Sequence, residues 1–245
     1  GPNSATQADA HFNTVLYTGN GSSAQHTIGF RPNLVWGKRR NIGSQNHWWI
    51  NDVTNIDAFM SSDTTDAEAT TAGTTFNANG SFTTANNDLY INNGSNYAVW
   101  AWKGNGTGSA VSNTDGSITS TVSANTDAGF SIVLYAGSES TATVGHGLGG
   151  VPDMLIWKKR NGANDWIVYH SQNTSAPATD HLHLNLTNAT NDQPFFQDTL
   201  PTSTVFSIGT DDDVNDAKNY VVYCFRSIEG YSKFGSYTGN GSTDG

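Results

Sequence analysis

One segment of this chain occurs twice and starts a third time, and that repeat limits the fold more than any other feature. Phe12-Asn13-Thr14-Val15-Leu16-Tyr17-Thr18-Gly19 matches Phe130-Ser131-Ile132-Val133-Leu134-Tyr135-Ala136-Gly137, and Phe234-Gly235-Ser236-Tyr237-Thr238-Gly239-Asn240-Gly241 opens a third copy. Residues 32–41 align with 152–161, Trp48-Trp49-Ile50 with Trp166-Ile167-Val168, and 96–103 with 219–226, in the same order both times. Each block is β-branched and aromatic and is bounded by Gly, Asn or Pro, which is the pattern of a short strand. The expected organisation has five parts. Residues 1–10 are a cloning scar (Gly1-Pro2-Asn3-Ser4) and leader, and 11–103 are a first unit. Residues 104–128 are a Gly/Ser/Thr/Asn-rich connector with one short strand, 129–230 are a second unit, and 231–245 start a truncated third. A unit of about a hundred residues has the size of a sandwich domain.

Composition favours strands over helices. Charged residues are 13% of the chain, and Glu occurs only at Glu68, Glu139 and Glu229. Asp, Asn and Gly, which favour turns, replace the Glu, Lys and Leu that build helices. Aromatics reach 11%, which is ring surface enough for a core and too much for a disordered chain. The blocks 97–102 and 220–225 carry aromatics on both faces, as central strands covered on both sides do. Residues 42–47 and 162–165 read as hairpin loops, 61–75 as a polar surface loop, and 181–186 as a strand with one wet face. The expected fold class is all-β: two tandem antiparallel β-sandwich domains, jelly-roll or lectin-like, related by the repeat.

Several function classes lack support. A net charge of −10 repels phosphate backbones and argues against nucleic acid. No apolar run approaches a membrane span, so membrane insertion is not expected. Cys224 is the single cysteine and sits in an apolar run, so an inert buried thiol is expected. Gly145-His146-Gly147-Leu148-Gly149 lacks the Lys of a phosphate loop and reads as a turn, with His26 as its counterpart. His181 and His183 share a strand face, as zinc ligands do, but lack a third ligand and read as exposed. Asp211-Asp212-Asp213, opposite Asp88 to Asn92 in the first copy, lacks calcium-loop spacing and reads as a solvated turn. No catalytic residue, metal or cofactor is expected, and a polysaccharide depolymerase lacks its pair of carboxylates.

The basic and tryptophan residues carry the remaining site expectations. Lys38-Arg39-Arg40 and Lys158-Lys159-Arg160 hold 6 of the 11 basic residues at equivalent places. They read either as partners of nearby Asp residues or, through Lys38, Arg40, Lys158 and Arg160, as a site for an anionic group on a glycan. Alternation puts Trp36 and Trp157 on opposite faces of equivalent strands. Trp48 and Trp166, aligned in both copies, read as core. Trp49 and Trp157 lack an aromatic counterpart and read as core or as exposed platforms for sugar rings.

The blocks also resemble a known repeat. Residues 129–133, Thr143-Val144-Gly145-His146-Gly147-Leu148-Gly149, Pro152-Asp153-Met154, Asp165-Trp166, 202–206 and Glu229 to Gly241 are similar to a repeated domain of tail and other virion-associated proteins of tailed bacteriophages, notably marine ones. Asp115 to Val122 fits its linker. The resemblance covers most of residues 11–245 and is strongest from 104 onward. It implies a β-sandwich in a virion, outside the cell, with other virion proteins as partners and no established activity. Within that setting a structural or host-attachment module and a lectin-like binder of host-surface glycan both fit, and a homo-oligomer is compatible with either.

Overall fold

Side chains of a strand alternate between faces, and along the blocks 97–102 and 220–225 both faces are apolar, so these two strands must be covered twice. The computed structural model describes residues 7–54, 58–70, 73–85 and 91–243, and it is sandwich-like and all-β over them. The scar at 1–4, the Asp88-Leu89-Tyr90 stretch and residues 71–72 of the expected surface loop lie outside the described residues. The first half carries β1 (Phe12–Thr18), β2 (Ala24–Thr27), β3 (Leu34–Arg39), β4 (His47–Asn51), β5 (Ala58–Ser61), β6 (Ala69–Thr70), β7 (Thr75–Asn77), β8 (Ser81–Thr84) and β9 (Asn96–Trp102). Then come β10 (Val111–Asn113), β11 (Ser120–Asn125), β12 (Phe130–Ala136), β13 (Ala142–Gly145), β14 (Met154–Lys159), β15 (Ile167–His170), β16 (Asp180–His183), β17 (Asn191–Asp192), β18 (Val205–Ile208) and β19 (Asn219–Phe225). The single α-helix among the described residues, α1, is one turn long (Asp212–Asn215).

The repeat reappears as topology. One large sheet has the order β1-β9-β3-β4-β5-β6, and the other β10-β11-β12-β19-β14-β15-β16-β17. With β10 and β11 set aside, corresponding blocks stand in the same order. The small sheets correspond as well, β2-β8-β7 in the first half and β13-β18 in the second. Registers agree: Phe12 and Leu34 stand opposite Trp102, as Phe130 and Met154 stand opposite Phe225. The aromatic-rich strands β9 and β19 are internal to their sheets, as their two apolar faces require.

Three apolar layers result. One lies between the first large sheet and β2-β8-β7 and holds Ile28, Val35, Ile50, Phe82, Tyr97 and Val99. Another lies between the second large sheet and β13-β18 and holds Val133, Leu155, Trp157, Tyr169, Phe206 and Val222. The third is shared by both large sheets, which meet face to face: Leu34, Trp49 and Met60 pack with Ile132, Ile156, Trp166, Val168 and Tyr223. Trp49 lies 4.5 Å from Tyr223 and 5.3 Å from Trp166, centroid to centroid.

Four expectations change. The stretch 104–128 carries two strands, and β11 pairs with β12, so residues 111–113 and 120–125 belong to the second large sheet. Val122 points into the core while Ser and Thr occupy its neighbouring positions, which lowers the apolar count without weakening the strand. The polar loop after β5 lies at the surface, with Asp63, Thr65 and Asp66 exposed, yet it is also tied to the second half. Ser61 and Ser62 are buried, and Thr65 and Glu68 bond to the second half. Strand β16 has no wet face: Leu182 joins the shared layer and His181 packs on Phe195 at 4.5 Å. His181 is 1% exposed, so the exposed reading of the histidine pair is corrected. Finally, residues 231–237, whose strand pattern and rings Phe234 and Tyr237 favour docking on a sheet edge, form no strand ladder among the described residues. They make an isolated bridge, Ile228 to Ser232, and Phe234 packs on Phe225 and His170 while Tyr237 is 95% exposed.

Two alignments also shift. Trp36 stands opposite Trp49 and Gly37 opposite Trp48, whereas Ile156 stands opposite Val168 and Trp157 opposite Ile167. Trp48 therefore corresponds to Ile167 and Trp49 to Val168, one residue away from the sequence alignment. Likewise His26 pairs with Phe82 and Val144 with Phe206, so His26 corresponds to Val144 and His146 to Ile28.

Candidate functional site

The basic clusters end strands that enter hairpins, and each cation finds its partner inside the chain or stays in water. Arg160 makes a bidentate pair with Glu68, at 2.9 and 3.0 Å, across the boundary between halves. The backbone repeats that link, since Glu68 N donates to Arg160 O at 2.7 Å. Lys158 is fully buried, and its Nζ donates to Thr65 O at 3.2 Å and Lys159 O at 3.0 Å. Desolvation, with the Lys159 ammonium beside it, lowers its pKa to about 8. Lys159 is paired with Asp212 and Asp216, each at 3.5 Å. In the first half Lys38 donates to Gln45 O, and Arg40 lies exposed. Lys158 and Arg160 are thus engaged internally, which corrects their reading as a free anion site; pairing with acidic neighbours describes Lys159 and Arg160.

Trp49, Trp157 and Trp166 are interior. Trp49 is 3% exposed within the shared layer. Trp157 is 0% exposed, stacked on Phe196 at 5.1 Å and edge-on to Phe206 at 5.2 Å. Neither offers a ring face to a sugar, so both platforms are corrected to core. The reason is that β4 and β14 lie inside the large sheets, each of which is packed on both faces. Trp36 and Trp157 do face opposite sides, Trp36 toward the shared layer. Trp166 Nε1 donates to Ser61 O at 3.0 Å and Thr64 O at 3.2 Å, which ties the second half to the loop of the first.

The titratable clusters have local structural partners. Asp211 caps α1, its side chain accepting from Asp213 N at 2.9 Å. The carboxylates of Asp211, Asp212 and Asp213 lie within 4.8 Å of one another, and burial raises the pKa of Asp213, with Asp211 adding to it. Leu148 N donates to His146 Nδ1, so His146 Nε2 carries the proton and donates to Thr202 O at 3.1 Å. Burial lowers the pKa of this neutral His. Cys224 is fully buried, as its apolar strand predicts, and desolvation raises its pKa.

What the sequence did not signal is a cleft. Where the facing sheets diverge near the start of β1 and β12, a space of about 480 Å³ remains between them. Phe12, Trp36, Trp49 and Trp102 line it from the first sheet, and Phe130, Met154, Ile156, Val168 and Phe225 from the second. Tyr231 and Phe234 also line it, and Arg226 is the one charged residue on its lining among the described residues. The indole Nε1 atoms of Trp36 and Trp49 and the Nε of Arg226 are buried without a hydrogen-bond partner. The lining comes from strands far apart in the chain, so no local spacing could announce it.

The profile of one protein family, the domain of unknown function DUF7483, matches residues 7–245. No curated protein and no solved structure matches the chain.

Proposed function

We propose that this chain, which belongs to the DUF7483 family, is a non-enzymatic structural module of a tailed-phage virion appendage, built as two tandem β-sandwich units and serving host attachment. The observation that carries this reading is the repeated strand order with an apolar layer shared between the copies. A spacer or decoration element needs stability, repetition and a polar exterior, and the layer gives two small sandwiches the core of one larger body. The family match runs through both copies, which suits a pair that works as one unit. The virion assignment rests on the resemblance of the repeat blocks. In this reading the partners are other virion proteins outside the cell, and contact with host-surface glycan falls to exposed surface other than Trp49 and Trp157.

Gold-labelled antibody raised against the chain tests the proposal on particles of a phage that encodes it. The proposal expects label on the tail or its appendages. Label absent from intact particles, with the protein only in the soluble fraction of the lysate, contradicts it.

A further inference from the structure

We propose that the cleft between the large sheets binds an amphipathic monoanion, a long-chain carboxylate with its chain against the tryptophans and its head at Arg226. Protein interiors are close-packed, and apolar spaces that remain open stay dry and accept apolar guests. A space of about 480 Å³ falls within the size range of small-molecule sites. Its walls are rings and aliphatic chains, Trp36, Trp49 and Trp102 facing Phe130, Met154 and Ile156. These surfaces suit a hydrocarbon and offer a sugar too few polar partners.

The head group follows from the unpaired donors. Trp36 Nε1, Trp49 Nε1 and Arg226 Nε are three buried N–H groups, and none has an acceptor. Buried donors are ordinarily satisfied, because each orphan costs about 1–3 kcal/mol. The head at Arg226 supplies an acceptor oxygen to the Nε there, while the two indole N–H groups stay beside the hydrocarbon. Arg226 adds a positive charge on a molecule of net charge −10, and a guanidinium matches a carboxylate in geometry. A cationic or zwitterionic head would meet that same charge. The space for the guanidinium depends on Gly150: a Cβ there would lie 2.0 Å from Arg226 Nη1. Because that contact is with the far end of a flexible side chain, Gly150→Ala moves the guanidinium and spares the backbone. This inference stands apart from the virion reading, since a structural module can hold such a ligand in any setting.

The test is titration of the intact chain with sodium dodecanoate below its micellar concentration, followed by calorimetry and tryptophan fluorescence. Dodecyltrimethylammonium serves as the cationic control. We expect one dodecanoate per chain with altered tryptophan emission, and at least tenfold weaker binding of the cation. Arg226→Gln should weaken dodecanoate at least tenfold. If Arg226→Gln does not fold by circular dichroism, Gly150→Ala carries the same expectation. No saturable binding of dodecanoate, equal affinity for the two detergents, or unchanged affinity in the folded variant overturns the assignment.

Discussion

At Lys158 two effects act in the same direction, desolvation first and the neighbouring Lys159 ammonium second, and the pKa falls from 10.5 to about 8. Between those values the unfolded chain binds the proton that the folded chain has released. Lys158 therefore contributes stability that grows as pH climbs from about 8 toward 10. The raised Cys224 opposes it from about pH 9, and the raised Tyr220 and Tyr223 from about pH 10. Lys158→Met should lower the slope of stability against pH between 8 and 10 in urea titrations; an unchanged slope would place the ammonium in water. The tryptophans give a second residue-scale prediction. Trp157→Ala opens a cavity in a layer with 0% exposure, and should lower stability by about 3–5 kcal/mol. Cys224, equally enclosed, should react with a thiol reagent in the native state only at the rate of unfolding.

At the scale of elements, the loop after β5 acts as a clasp. Thr65 O accepts from Asn164 N at 2.8 Å and from Lys158 Nζ, and Glu68 engages Arg160 through side chain and backbone. Removing one partner of a largely buried pair leaves the other charge uncompensated. Glu68→Ala should thus lower stability by about 1–3 kcal/mol, and a double-mutant cycle with Arg160→Ala should show coupling. Additive effects would mean that the pair contributes nothing. The strands β9, β14 and β19 were legible in the sequence because each is a β-branched or aromatic run bounded by Gly, Asn or Pro that recurs in the same order in both copies. The β4 block was misaligned because Trp48-Trp49-Ile50 is continuously apolar, and a run without alternation does not reveal a one-residue slip. The clasp and β11 were hidden by Ser, Thr and Asp, whose polarity says loop until tertiary contacts satisfy them.

The whole molecule has an acid side that follows from its histidines. Burial lowers the pKa of His26, His47, His146, His170 and His181. Each is protonated in the unfolded chain before the folded one, so stability should fall as pH drops below 6.5. Asp52 and Asp213, raised by burial, oppose this only nearer the carboxylate range. A melting temperature that holds constant from pH 7 to 5.5 would contradict the histidine burial. The repeat predicted the strand order, yet no repeat can say that its copies meet through their large sheets. That arrangement comes from Trp49, Trp166 and Tyr223, which read equally well as the core of one sandwich. The central claim is that the shared layer makes the two copies one cooperative body. Differential scanning calorimetry tests it most directly: the account predicts a single transition with calorimetric and van't Hoff enthalpies equal, lowered as a whole by Trp49→Ala. Two separable transitions, with Trp49→Ala shifting only one, would contradict it.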